Sequence, residues 1–161
     1  MRKVLGYGGL VFLALLLQAG VFPSLRLFGA TPELVLATAW LAGLHAGGER
    51  GSAVGFLGGL LQDLYIGAPR LGIAALVFTI AGLIAGRMRE VVVHPYGGLL
   101  PISTLVAAAA AEIAYRFIAF LFGSGFSWGR ILPAAIYTAF LAIPWNLLVR
   151  KVGIWVEQQP F

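Results

Sequence analysis

The chain consists of long apolar segments separated by short polar or glycine-rich breaks. The six segments cover residues 4–22, 32–46, 51–66, 71–86, 98–122 and 131–149. Hydrophobic residues make up 60% of the sequence and charged residues only 11%, far from the usual composition of soluble domains. A membrane-spanning helix needs roughly 20 mostly apolar residues, so six of them would use nearly the whole chain. The sequence therefore predicts an all-α integral membrane protein, with about six spans in one transmembrane domain over residues 1–161.

The second segment has the clearest helix start. Thr31 can cap free amides, Pro32 is tolerated where its missing N–H costs nothing, and the acid Glu33 suits the positive end of a helix dipole. Its apolar stretch is short, however, and a Gly-Gly-Glu-Arg-Gly-Ser break separates it from the third segment. Segments two and three could therefore each cross the membrane or form one tight hairpin that does not fully cross.

The cationic side chains indicate the orientation. With six spans, the side holding both termini carries seven, Arg2, Lys3, Arg50, Arg87, Arg89, Arg150 and Lys151, whereas the other carries three, Arg26, Arg70 and Arg130. Because cytoplasmic loops are enriched in Lys and Arg, both termini are predicted to be cytoplasmic. These residues form no basic stripe, so nucleic acid is not an expected partner.

Glycine recurs every four residues through the third segment. Gly51, Gly55 and Gly59 fall on one helix face, which Gly58 widens, and Asp63 and Gly67 continue the register. Such a row lets a neighbouring backbone approach closely. It favours packing against another helix of the same chain, with docking of a partner's helix as the alternative. The other glycines assigned to this helix-packing or partner-binding set are Gly72, Gly82 and Gly86.

Asp63 lies near the end of the third segment, where an acid in a membrane needs a partner. The candidates are Arg70, Arg130 or backbone amides at a helix start. We expect Asp63 to lock the turn between segments three and four rather than to serve as a proton or ion site.

Two further polar features interrupt the apolar pattern. Glu112 and Arg116 are four residues apart, in the order that favours an ion pair on a helix surface; the alternative is a contact with a partner or ligand. Pro144 predicts a kink in the last segment, where Asn146 can satisfy a freed carbonyl group. His45 and His94 are placed in loops and given no role.

The sequence gives no support for an enzyme. It has no cysteine, which removes thiolate chemistry and disulfides. It also lacks a metal-ligand cluster, a phosphate-binding loop and a nucleophile motif. Catalytic residues, metal ligands and cofactors are therefore not expected.

Three stretches resemble the family of rod-shape-determining proteins called MreD. They are Pro32-Glu33-Leu34, the glycine-rich run 51–67 that contains Gly-Leu-Leu-Gln-Asp, and Leu71-Gly72-Ile73-Ala74-Ala75-Leu76. The similarity extends over the whole length, although the family more often has Asp at the position of Glu33. The resemblance implies a non-catalytic scaffold of bacterial cell-wall elongation in the cytoplasmic membrane. It would bind MreC and connect, directly or indirectly, to MreB, RodA and the penicillin-binding transpeptidase, with membrane lipid around it.

The same resemblance suggests an alternative function. MreD proteins are similar in fold to the substrate-binding subunits of energy-coupling-factor transporters, which have six helices around a central cavity. A small-molecule-binding transporter subunit would need converging polar groups inside the bundle. The candidates to line such a cavity are Gln18, Glu112, Arg116 and Asn146.

Overall fold

The computed structural model describes residues 2–26, 29–67, 71–93, 99–123 and 128–157, and these residues are helical with short connections and no β-strand. The helices are α1 (Arg2–Leu16), α2 (Leu34–Ala46), α3 (Gly48–Ile66), α4 (Ile73–Arg87), α5 (Arg89–Val93), α6 (Leu99–Leu121) and α7 (Ile131–Glu157). A π-helical turn, Leu17–Val21, continues α1, and a 3-10 turn, Trp128–Arg130, leads into α7.

The six long helices coincide with the six apolar segments, with two differences. Helix α7 continues about two turns beyond residue 149, where the last segment was expected to end. The loop expected after α4 begins with the short helix α5. Arg70 and His94 lie outside the described residues.

Two of the helices are long and apolar enough to cross a membrane, namely Leu99–Leu121 and Ile131–Trp155. Three shorter helices are also apolar: Gly6–Val21, Leu34–Ala46 and Ile73–Arg87. Large apolar side chains are exposed on the outer faces of the bundle, including Phe12, Phe56, Phe117 and Phe140. An apolar exterior of this extent is typical of a surface that contacts lipid or other proteins.

Helix α2 forms the centre of the bundle. Every residue from Leu34 to Leu44 is buried, and the neighbours of α2 include α1, α3, α4, α6 and α7. A helix that is apolar on all sides is found either within a protein core or across a membrane. Here other helices of the same chain enclose α2.

Helices α3 and α4 pack backbone against backbone through the predicted glycine row. A Cβ atom on Gly51 would lie 2.6 Å from the Gly82 carbonyl oxygen, and one on Gly59 would lie 2.6 Å from the Ala74 carbonyl oxygen. Gly55 faces the Phe78 carbonyl in the same way. Helix α4 of the same chain thus fills the groove, and these glycines are not open to a partner's helix.

The remaining glycines of the set have separate surroundings. Gly82 and Gly86 form the α4 side of the same contact, opposite Gly51 and Gly48. Gly58 instead faces Val35 of α2 and Val11 of α1. Gly67 and Gly72 have positive φ angles, 85° and 96°, and lie on either side of the α3–α4 connection. A glycine is favoured there because side chains strain this backbone conformation.

Polar contacts join α2 to α7. The Trp145 indole N–H donates to Thr38 Oγ1 at 2.9 Å, and His45 Nε2 lies 2.6 Å from Asn146 Oδ1. The side-chain oxygen of Asn146 thus pairs with a histidine on another helix; the expected bond from its amide nitrogen to a carbonyl freed by Pro144 stays a prediction. His45 lies in the last turn of α2 rather than in a loop, and α7 stays helical through Pro144.

We expect Thr38→Val to destabilise the bundle by about 1–2 kcal/mol more than Thr104→Val, since it leaves a buried indole donor without a partner. Both threonines are buried and donate to a carbonyl of their own helix, Leu34 and Leu100 respectively. Among the residues that the structure describes, only Thr38 also accepts a bond from another helix. Unfolding titrations in detergent, followed by far-UV circular dichroism, measure the difference. Equal losses for the two variants would show that the Trp145 bond adds nothing.

Candidate functional site

Asp63 caps the start of α4. Its carboxylate accepts hydrogen bonds from the backbone N–H groups of Gly72 at 2.9 Å, Ala74 at 3.2 Å and Ala75 at 3.1 Å. The side chain is 1% exposed. Because the first amides of a helix have no partner within it, a buried carboxylate there is stabilised by both hydrogen bonds and the helix dipole. Backbone amides are thus the partners observed, among the alternatives that the sequence left open.

Glu33 lies immediately before α2 and forms hydrogen bonds with residues of α3, of α7 and of the turn that continues α1. Its Oε2 atom accepts hydrogen bonds from Gln18 Nε2, in the π-helical turn after α1, and from Gln62 Nε2 of α3, both at 2.9 Å. The Glu33 backbone N–H donates to Thr138 Oγ1 of α7 at 2.9 Å. The pattern Thr31-Pro32-Glu33 predicts only a favourable charge at a helix start, and these contacts between distant residues are not part of that prediction.

Glu112 and Arg116 form the predicted ion pair on α6. Arg116 Nε lies 2.8 Å from Glu112 Oε2, and the side chains are 24% and 11% exposed respectively. The pair borders a cavity of about 220 Å³. Glu33, immediately before α2, and Gln62 of α3 line the same cavity, so the pair shares the inside of the bundle with a further ionisable group. Tyr115 and five mainly apolar side chains, Leu36, Ile66, Phe78, Ala111 and Ala119, complete the lining.

A second cavity, of about 270 Å³, lies on the other side of Glu33. Gln18, Arg26 and Thr31 line it together with Glu33 and Gln62. Arg26 is exposed beside the α1–α2 connection, so this cavity reaches the surface at that end of the bundle. Glu33 and Gln62 therefore form part of a polar wall between the two cavities.

We call Gln18, Glu33, Gln62, Glu112 and Arg116 the polar junction. Of the four residues proposed to line a cavity, Glu112 and Arg116 line the first and Gln18 lines the second, whereas Asn146 lines neither.

The sequence did contain a signal for the junction. Gln18 lies near the end of the first segment, Glu33 at the start of the second and Gln62 near the end of the third, so antiparallel spans place all three at one depth.

The chemistry available at the polar junction is hydrogen bonding and charge pairing. Within the described ranges, no three His, Asp or Glu residues are grouped so that they could hold a metal ion. Carboxylate and amide groups around a cavity can bind a polar ligand or fix the arrangement of the helices. Comparison of the chain with protein-family models, curated proteins and solved structures gives no match.

Proposed function

We propose that the protein is a non-catalytic scaffold of the MreD type, which binds MreC in the bacterial cytoplasmic membrane and helps maintain rod shape. The residues that carry the resemblance pack α3 against α4 and cap the start of α4. This observation supports the proposal best. The run 51–67 and residues 71–76 supply Gly51, Gly55, Gly59 and the Asp63 cap, which build the α3–α4 contact. The motif thus supplies residues that pack and cap helices, which supports a scaffold role.

The proposal includes six membrane spans, formed by α1, α2, α3, α4, α6 and α7, with both termini in the cytoplasm. The two long apolar helices and the apolar exterior support this arrangement. Helix α3 is less hydrophobic because it contains Glu49, Arg50, Gln62 and Asp63 as well as its glycines. Gly51, Gly55 and Gly59 face α4, and the Asp63 carboxylate is hydrogen-bonded. A helix with these compensations can reside in a bilayer.

The docking site proposed for the membrane helix of MreC is the apolar groove between α4 and α6. This groove of about 300 Å³ is lined on α4 by Leu76, Ile80 and Ile84, and on α6 by Val106 and a row of alanines. Small residues allow close approach of a second helix in a membrane. Through MreC the scaffold would connect to MreB, RodA and the penicillin-binding transpeptidase.

Cysteine crosslinking tests this proposal in a chain that has no native thiols. We expect Ile80→Cys and Val106→Cys, whose native side chains are 48% and 62% exposed, to form disulfides with cysteines placed in the MreC membrane helix. Leu147→Cys is the control, because Leu147 is 61% exposed on α7 and lines none of the cavities described above. Comparable crosslinking at Leu147 would disprove docking at α4–α6, and failure of MreC to co-purify would disprove the scaffold role.

The polar cavities favour a second candidate, a small-molecule-binding subunit of an energy-coupling-factor type transporter. Such a subunit needs an internal site with a few converging polar groups, which the polar junction offers. A vitamin-sized molecule retained through purification, together with no capture of MreC, would favour this candidate over the scaffold.

A further inference from the structure

Glu33 is a carboxylate with neutral side-chain partners. Its oxygen accepts from two glutamine amides, and no ion pair of Glu33 is found in the part of the chain that the structure describes. The nearby guanidinium of Arg116 is paired with Glu112. With all three groups ionised, the junction holds two negative charges and one positive charge. A carboxylate within a membrane protein is strongly stabilised by a counter-charge.

Gln62 supplies an independent observation. Its side chain is 4% exposed, its Nε2 donates to Glu33, and its Oε1 is buried without a hydrogen-bond partner. A buried acceptor that lacks a donor is unfavourable, because it has lost its hydrogen bonds to water without a replacement. Gln62 lines both cavities. With the three groups ionised, the junction lacks a positive charge, and Gln62 Oε1 lacks an N–H donor at the same place.

We propose that the polar junction binds a primary ammonium group, carried by the headgroup of an ethanolamine lipid or by a small soluble amine. An ammonium group has three N–H donors. It satisfies the Glu33 carboxylate and the Gln62 Oε1 acceptor together, and its positive charge offsets the negative charge of Glu33. This site is additional to the scaffold role and does not depend on how MreC docks.

The ethanolamine headgroup also fits the rest of the lining. It carries a phosphate next to the ammonium group, and Arg116 lies at the first cavity with its side chain partly exposed. Guanidinium groups are strong phosphate donors. A metal cation fits less well, because it requires more ligands than Glu33 and Gln62 provide. A trimethylammonium group fits less well because it has no N–H to donate.

Native mass spectrometry of the full chain in detergent tests the site. The probes are phosphatidylethanolamine, phosphatidylcholine and phosphatidylglycerol with matched acyl chains, and each is titrated separately. We expect the ethanolamine lipid to bind at least tenfold more tightly than the choline lipid. Equal affinities of the unaltered protein for these two lipids would overturn the proposal without reference to any variant.

Two variants then locate the binding. Glu33→Gln keeps the side-chain size and removes the charge, and we expect it to abolish the preference for the ethanolamine lipid. Glu49→Gln is the control, since Glu49 is exposed in the first turn of α3 and lines neither cavity. Far-UV circular dichroism checks that both variants are folded. A folded Glu33→Gln protein that retains the full preference would disprove the assignment to this junction.

Competition with free ethanolamine distinguishes the two sources of the ammonium group. Displacement of the lipid by free ethanolamine at comparable concentration indicates that the site takes a soluble amine. Retention of the lipid indicates that the headgroup is the ligand and that its phosphate and acyl chains contribute. Both outcomes support an ammonium site, and neither depends on the capture of MreC, so this inference and the scaffold proposal can fail separately.

Discussion

Gly55→Ala is expected to destabilise the bundle by about 3 kcal/mol, near the upper end for overpacking a well-packed core. The added methyl group would overlap the carbonyl group of Phe78 in α4. Backbone atoms cannot move away as a flexible side chain can, so the α3–α4 pair has to separate. Unfolding in increasing proportions of dodecyl sulfate, followed by far-UV circular dichroism, measures the loss.

Gly9→Ala is the matched control for this prediction. Gly9 is also within a helix, but a Cβ atom there has no neighbouring atom within 4 Å. Alanine is favoured over glycine in a helix by about 1 kcal/mol, so this variant should be as stable as the unaltered protein or slightly more stable. If the two alanine variants unfold at the same detergent composition, the close α3–α4 contact is incorrect.

Asp63→Ala should have a similarly large effect, a loss of about 3 kcal/mol or more. The substitution leaves three amides at the start of α4 without an acceptor, and each unsatisfied buried donor costs about 1–3 kcal/mol before relaxation. Asp63→Asn keeps one oxygen acceptor and loses the charge, so its loss should be intermediate. The same detergent titration gives the order of the three proteins.

Glu49→Ala provides the comparison for Asp63, because it removes an acid from the other end of the same helix. Glu49 is exposed, and surface substitutions of this kind change stability by less than about 0.5 kcal/mol. An Asp63→Ala protein as stable as Glu49→Ala would mean that the cap does not stabilise α4.

The helical pattern was predictable because apolar segments and their breaks are local properties of the sequence. The glycine period of four places Gly51, Gly55 and Gly59 on one face, whatever that face contacts. The identity of the contacting helix was not predictable in the same way. Gly82 and Gly86 on α4 formed only a weaker patch in the sequence, and their pairing with α3 depends on how the two helices pack.

The polar junction was harder to predict, since it depends on contacts between distant residues. Glu33 contacts Gln18 and Gln62, which are 15 and 29 residues away along the chain. A local interpretation of Thr31-Pro32-Glu33 as a helix start accounts for the acid without any partner. The contact of His45 with Asn146 spans 101 residues and is missed for the same reason.

In the six-span arrangement proposed above, the enclosure of α2 has a consequence for the surrounding bilayer. Its 13 residues rise only about 20 Å, whereas the hydrocarbon layer is about 30 Å thick. Since neighbouring helices surround α2, neither of its ends has to reach the lipid headgroups, and hydrophobic mismatch is avoided without tilting. In the proposed arrangement, the second cavity, beside Arg26 and Thr31, would let water reach Glu33 from that end of the bundle.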